Sequence, residues 1–242
     1  MARISKLSII VPVFNEEKTI QDILKHLLEL SLPDNIPFEI IVVNDGSTDG
    51  TYELISQISK KNKKISLLNH EQNEGKGAAV RTGIKKAAGD YIIIQDADLE
   101  YDPQYISTLL LELKKNAIDV VYGTRLHRLP HLDKEESRAR FLIHYFGNRF
   151  LSLITSLLYG QWITDMETCY KLFPRSAVAN MKLESRGFEF EPEITAKLMK
   201  QRHRIHEVPI TTVPRGYEEG KKLNTVRDGI RAFLTLIKYR FT

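Results

Sequence analysis

The stretch Tyr91-Ile92-Ile93-Ile94-Gln95-Asp96-Ala97-Asp98-Leu99-Glu100 decides the reading of this chain. Its first four residues are apolar, as in a strand covered on both faces of a sheet, and acids follow at once. Alternate residues of an extended chain point the same way. Asp96, Asp98 and Glu100 are therefore expected to present carboxylates to one side, at the C-terminal edge of the sheet. That edge is where open α/β sheets bind ligands.

Working outward, similar apolar runs at Leu7 to Val13, Phe38 to Asn44, Lys64 to Asn69, Asp90 to Gln95 and Asp119 to Gly123 alternate with charged, helix-forming stretches. This rhythm predicts an α/β fold, a mostly parallel sheet with crossover helices. Asn15 is expected to cap a first helix whose stripe is Ile20, Ile23, Leu24, Leu27 and Leu28. Asp49 or Thr51 opens a second. Asn73 to Ala88 forms a third that stops at Gly89, and Pro103 starts a fourth. Cys169 to Phe173 is strand-like.

The chain has 242 residues, 42% of them hydrophobic and 27% charged, enough for one sizeable core. The expected organisation is a single domain, with residues 1–125 as one half and 126–242 as the other. One cysteine, Cys169, excludes an internal disulfide framework and an all-cysteine metal site. The N-terminus lacks the features of a signal peptide, so a cytoplasmic setting is expected. A formal charge of +4 accompanies nearly balanced acids and bases, which gives no argument for nucleic acid as a partner. The seven histidines lack compact metal-ligand spacing.

The acids after the fourth strand suit a hard divalent cation, Mg²⁺ or Mn²⁺, which keeps some waters and takes further ligands from a diphosphate. Asn44-Asp45-Gly46-Ser47-Thr48-Asp49-Gly50 ends another buried strand, and its small residues allow close backbone approach to a ligand. Asp45 is a candidate acceptor for a nucleobase; the same segment is also a good turn and helix cap.

Three motifs in order, Ile10-Val11-Pro12-Val13-Phe14-Asn15-Glu16-Glu17, Val43-Asn44-Asp45-Gly46-Ser47-Thr48-Asp49 and Gln95-Asp96-Ala97-Asp98-Leu99-Glu100, make the chain resemble the family 2 glycosyltransferases of GT-A fold. Asn73-Glu74-Gly75-Lys76-Gly77 and Tyr122-Gly123-Thr124-Arg125 extend the match. Thr164-Asp165-Met166-Glu167-Thr168-Cys169-Tyr170-Lys171 and Gly187-Phe188-Glu189-Phe190-Glu191 make it look most like the dolichyl- and polyprenyl-phosphate mannose or glucose synthases. By that resemblance Pro12 and Glu16 flank the base and ribose of a nucleotide sugar, Phe14 counts among the substrate-binding residues, and Asp45 contacts the base. Asp96, Asp98 and Glu100 hold the metal, while Lys76 meets the substrate and Arg125, Arg215 and Lys221 bind phosphates. Glu100 stands where mannose-phosphate synthases often carry Gln.

The reaction so implied moves glucose or mannose from a UDP- or GDP-sugar to a polyprenyl phosphate, with inversion. A lipid monophosphate needs no strong base, since its second pKa is about 6. A saccharide hydroxyl would need one, and Asp165 or Glu167 would supply it; Asp165 is kept among the catalytic candidates. Residues 138–160 join positive charge to a wide apolar face, as in a helix lying at the inner face of a membrane, covering the core or forming a homodimer surface. His144, Asn148 and Arg149 argue against a membrane span. Residues 214–224, rich in glycine and charge, are expected to be a mobile loop that closes over the donor. The alternatives are a non-catalytic nucleotide-binding relative and a nucleotidyltransferase. Residues 10–17 contain no glycine, which speaks against the phosphate loop of the latter.

Overall fold

The computed structural model describes residues 4–116, 118–126, 138–213 and 225–242. Five strands fall on the apolar runs: β1 (Leu7–Val13), β2 (Phe38–Asp45), β3 (Ile65–His70), β4 (Tyr91–Ile94) and β5 (Val120–Thr124). Two more, β6 (Lys171–Pro174) and β7 (Ile205–Pro209), come from the second half. Together they make one seven-stranded sheet in the order β3-β2-β1-β4-β6-β5-β7. Every pairing is parallel except those of β6, which runs antiparallel to β4 on one side and β5 on the other. Leu172 lies opposite Ile93 in one neighbour and Val121 in the other. The two halves of the chain therefore share a sheet.

The helices are α1 (Ile20–Leu28), α2 (Thr51–Lys61), α3 (Lys76–Lys86), α4 (Tyr105–Asn116), α5 (Arg138–Tyr159), α6 (Arg175–Ala179), α7 (Phe190–Lys200) and α8 (Thr225–Phe241). They bury apolar stripes on the sheet, as Ile20, Ile23, Leu24 and Leu27 do from α1. The starts of three differ from expectation. Asn15 does not cap α1: its φ is 50°, and its Oδ1 accepts a hydrogen bond from the Thr48 amide, tying β1's end to the loop after β2. Residues 73–75 stay outside α3 because Gly75 takes a φ of 99°. Pro103 lies in a turn before α4, whose first residue is Tyr105.

β1 sits between β2 and β4, and the connection from β3 to β4 crosses back over it. The strand order thus reverses beside β1, and the crevice between the ends of β1 and β4 is a topological switch point. Crossover α3 approaches β1 closely, because Gly83 faces Ile10; a Cβ on Gly83 would stand 2.5 Å from Ile10 Cγ2. Gly83→Ala should push α3 off the sheet and lower stability by about 1–3 kcal/mol, the range for overpacking a dense core. Urea unfolding of the two proteins side by side checks this.

Candidate active site

The chain after β4 is not extended. Leu99 takes a left-handed φ of 62°, and Asp98 Oδ1 accepts a hydrogen bond from the Glu100 amide, so residues 96–101 form a bend. The strand alternation expected for the three acids is therefore replaced by this bend, which still brings Asp96, Asp98 and Glu100 to one cleft. Buried Gln95 fixes it: its Nε2 donates to the carbonyls of Asp96 and Tyr101, and its Oε1 accepts from the Tyr170 hydroxyl at 2.6 Å. Tyr170 immediately precedes β6, so the inserted strand holds the bend in place.

That cleft, of about 400 Å³, lies at the C-terminal ends of β1, β2, β4 and β5. Pro12, Phe14 and Glu16 line it from the end of β1, Asp45 from β2, Lys76 from the start of α3 and Arg125 from just after β5. The structure thus gathers nearly all the residues singled out in the sequence. Arg215, Lys221 and the segment 214–224 lie outside the described residues.

Asp45 is buried and organises the loop that delivers Lys76. Its two oxygens accept hydrogen bonds from the amides of Glu74 and Gly75, and His70 Nδ1 lies 2.7 Å from Oδ1. Gly75 is required there, since a Cβ would stand 2.4 Å from the Arg186 carbonyl oxygen. Lys76 then reaches Asp96 at 2.7 Å and Glu191 at 3.5 Å. Burial opposes its charge, but Asp96 foremost and Glu191 as well hold its pKa well above the usual lysine range. Arg81, one turn along α3, donates to the carbonyls of Leu183 and Glu184.

Arg125 is held by Asp165 through three hydrogen bonds of 2.8–2.9 Å, two from its guanidinium and one from its own amide. Asp165 is wholly buried and does not line the cleft. Burial would raise its pKa; Arg125 more than offsets this and lowers it. Oδ2 accepts two of these bonds and Oδ1 the third, so Asp165 holds Arg125 in place from behind the cleft. Its neighbour Glu167 does line the cleft, and there burial, with smaller contributions from surrounding charges, lifts the carboxyl to about 7.

Several site residues carried no role in the sequence reading. Glu191, on the first turn of α7, faces the cleft and pairs with the fully buried Lys171 at 2.5 Å. Tyr122 lies beneath the same ammonium, 5.0 Å from ring centroid to Nζ. His144 and Asn148 of α5 and Asp228 of α8 complete one wall. Lys171 and Glu191 stand in motifs that could have drawn attention, but nothing in their spacing pairs them.

The donor set fits a divalent cation. In the described lining Glu16, Asp45, Asp96, Asp98, Glu100, Glu167, Glu191 and Asp228 face Lys76 and Arg125. Burial, followed by the charges of Asp96 and Glu100, pushes Asp98 up to about 7, as expected where carboxylates crowd without enough positive charge. Among the described residues no three acidic, histidine or cysteine side chains are grouped closely enough to hold a metal by themselves. Asp96 and Asp98 could provide two oxygens, leaving the remaining positions to water and a phosphate ligand, the usual arrangement for Mg²⁺.

Three comparisons bear on this site. The model of glycosyl transferase family 2 matches residues 8–181. The chain is 30% identical, over 246 residues, to the UDP-N-acetylglucosamine–dolichyl-phosphate N-acetylglucosaminyltransferase of Methanococcus voltae, covering 95% of this chain and 94% of that one. It is 31% identical, over 237 residues, to an uncharacterised protein of Methanocaldococcus jannaschii, covering 96% and 91%. In structure it is similar, with a TM-score of 0.71 at 19% identity, to glucosyl-3-phosphoglycerate synthase from Mycobacterium tuberculosis in complex with Mn²⁺, uridine diphosphate and phosphoglyceric acid, covering 98% of this chain and 78% of that one. At that identity the likeness concerns the fold.

The Arg125–Asp165 pair yields a prediction with a definite pH dependence. Because the folded-state pKa of Asp165 is lowered, its contribution is fully present above the unfolded value of about 3.9 and is lost as pH falls through the depressed folded value. Asp165→Asn should therefore cost about 3–5 kcal/mol at pH 7, the range for breaking a buried pair. Urea unfolding should show the gap from the parent protein narrowing at pH values below about 3.9.

Proposed function

The chain belongs to glycosyl transferase family 2, and from that premise we propose that it moves a hexose or N-acetylhexosamine from a UDP- or GDP-sugar to a polyprenyl phosphate, with inversion at the anomeric carbon. The observation that carries this reading is the acidic cleft at the β1/β4 switch point, with Asp96 and Asp98 beside Lys76 and Arg125. The Methanococcus voltae relative, matched along nearly the whole chain, supports the lipid-phosphate acceptor.

In this reading Pro12, Phe14, Glu16 and Asp45 receive the nucleoside end of the donor. Asp96 and Asp98, with Glu100 close by, would hold Mg²⁺ or Mn²⁺, which when bound would neutralise charge on the diphosphate leaving group. Lys76 stands on the same carboxylate and adds positive charge as the bond from the anomeric carbon to the diphosphate oxygen breaks. Arg125, oriented by Asp165, is placed to draw in the acceptor phosphate. An ionised phosphate oxygen attacks from the opposite face, so the chain's residues supply position and charge rather than a strong base. Arg215 and Lys221 keep their proposed roles as further phosphate contacts.

The surface beside the cleft suits a lipid acceptor. Ile143, Phe146, Phe150, Leu153 and Leu157 of α5 are all exposed and recur at spacings of three and four, so they share one face. Val226, Ile230 and Leu234 form an exposed row on α8, which packs against α5. Exposed Arg149 and Arg227 accompany them, as on a helix lying among anionic headgroups. Among the described residues no helix is long and apolar enough to cross a membrane. The exposed apolar rows and their basic neighbours support the proposal that the protein lies peripherally at the cytoplasmic membrane face.

Glu167 favours a second reading, since a cleft carboxyl lifted to about 7 suits a general base for a saccharide hydroxyl. One assay separates the two. Protein, Mn²⁺, a short polyprenyl phosphate and a mixed saccharide acceptor are incubated with labelled UDP-glucose, UDP-N-acetylglucosamine or GDP-mannose. Label is expected in the organic phase; label on saccharide alone would replace the lipid reading by the second. Asp96→Ala and Asp98→Ala should each lower transfer by at least about 10²-fold, the scale for losing a group that stabilises transition-state charge.

The surface has its own test. The protein should float with vesicles containing anionic lipid, and Phe146→Asp with Phe150→Asp should leave it in the dense fractions. Unchanged flotation would remove the membrane role. Loss of a dimer in light scattering, without any flotation by the parent protein, would assign the face to a second copy of the chain.

A further inference from the structure

The carboxylate that lines the nucleoside end of the cleft, Asp45, is already heavily engaged. Its Oδ1 accepts from the Glu74 amide at 3.0 Å and lies 2.7 Å from His70 Nδ1, while its Oδ2 accepts from the Gly75 amide at 2.8 Å. An ionised carboxylate only accepts hydrogen bonds, so Nδ1 carries the hydrogen of its pair. The two oxygens together offer about four lone-pair positions. Among the described residues, Oδ1 is therefore filled by two donors and Oδ2 is met by one, which leaves one position on Oδ2.

His70 is held firmly in this contact. It ends β3 beside Asp45, which ends β2, and the two are partners in the parallel register. Its other nitrogen, Nε2, lies 2.9 Å from the Thr82 hydroxyl of α3. The ring is thus fixed between the edge of the sheet and the crossover helix, and is mostly buried there.

We infer that His70 sets the choice of nucleobase: by occupying Oδ1 it leaves Asp45 able to accept a single base N–H, which suits uracil and works against guanine. The inference rests on the nucleotide-sugar reading above, in which Asp45 receives the base, and selects between the two donor classes that reading allows. His70 acts through Asp45 and is in that sense a positioning residue.

The chemistry of the bases fixes the direction. Uracil presents one N–H on its pairing edge, between two carbonyl oxygens. Guanine presents two donors side by side, N1–H and the N2 amine, and a carboxylate meets such a pair with one lone pair on each oxygen. With Oδ1 taken, one of guanine's donors is stripped of water and finds no acceptor on Asp45, which penalises its binding. The same aspartate with a position open on each oxygen would favour guanine instead. Hypoxanthine separates donor number from ring size, since it keeps the purine skeleton and N1–H of guanine but lacks the amine.

The test is calorimetry on the full chain with Mn²⁺ present, comparing UDP, IDP and GDP, the diphosphates of uridine, inosine and guanosine. The parent protein should bind UDP and IDP each at least about tenfold more tightly than GDP, on the scale of one hydrogen bond to a charged group. His70→Leu fills the space without donating and opens a position on Oδ1, so GDP should gain on IDP by about tenfold or more. His70→Asn places an amide N–H where Nδ1 stood and should keep the parent's order of affinities. A thermal melt accompanies each variant, and His70→Phe, which also cannot donate, replaces His70→Leu should the latter not fold.

GDP bound by the parent as tightly as IDP would overturn the inference whatever the variants do. Equal changes in all three affinities in His70→Leu would overturn it too, because a merely structural ring acts on every ligand alike. A His70→Asn protein that behaves as His70→Leu does would exclude the bond to Oδ1 as the cause. Should none of the three diphosphates bind the parent, the nucleotide-sugar reading itself fails and takes the inference with it. UDP and GDP bound equally well would remove the role of His70 alone.

Discussion

Burial of carboxylates at the ends of the strands is the constraint around which the site is built. Desolvated acids repel one another and resist ionisation, and the protein answers with three cations, each fixed by a specific acid: Lys76 by Asp96, Lys171 by Glu191 and Arg125 by Asp165. These pairs are not simple sources of stability, because removing two charges from water costs nearly as much as their attraction returns. Their effect is to set positions. Lys76 connects the bend after β4 with α7, and Arg125 connects the end of β5 with the segment before β6, so four separate stretches of chain meet at defined distances. The excess of negative charge that remains is what a divalent cation and the basic side chains must balance when a diphosphate enters.

The sheet makes this arrangement possible. Parallel strands bring their C-terminal ends to one edge, and the reversal of strand order beside β1 opens a crevice there. β6 then enters backwards between β4 and β5, which separates their ends and carries Tyr170 to the bend and Lys171 to its buried place behind Glu191. Without that insertion Gln95 would lose the hydroxyl that fixes it, and residues 96–101 would lose their anchor. The antiparallel strand therefore connects the acidic half of the chain to the half whose helices α5 and α8 carry the exposed apolar rows.

Much of this was legible in the order of the residues. β1 to β5 are short, strongly apolar runs bounded by charge and turn residues, so their identity depends on local chemistry that needs no partner. Asp45 and Asp96 could be placed at one edge because each ends or follows such a run, while Pro12, Glu16 and Arg125 were marked by the resemblance to family 2. Less was legible where a long-range contact overrides a local preference. Asn15 is a good capping residue, but its side chain holds Thr48 instead, and a left-handed Leu99 bends a segment whose alternation suggested extension.

The sequence by itself determined the class of sheet, the edge at which chemistry gathers and the acidic character of that edge, because strand burial and the direction of a parallel sheet follow from local patterns of apolar and charged residues. Tertiary structure alone decided that β6 runs backwards, that Asp165 serves Arg125, that Lys171 meets Glu191 and that Glu167 lines the cleft. The reason is physical: the penalty for burying a charge depends on which distant group arrives to compensate it, and no spacing along the chain encodes that encounter.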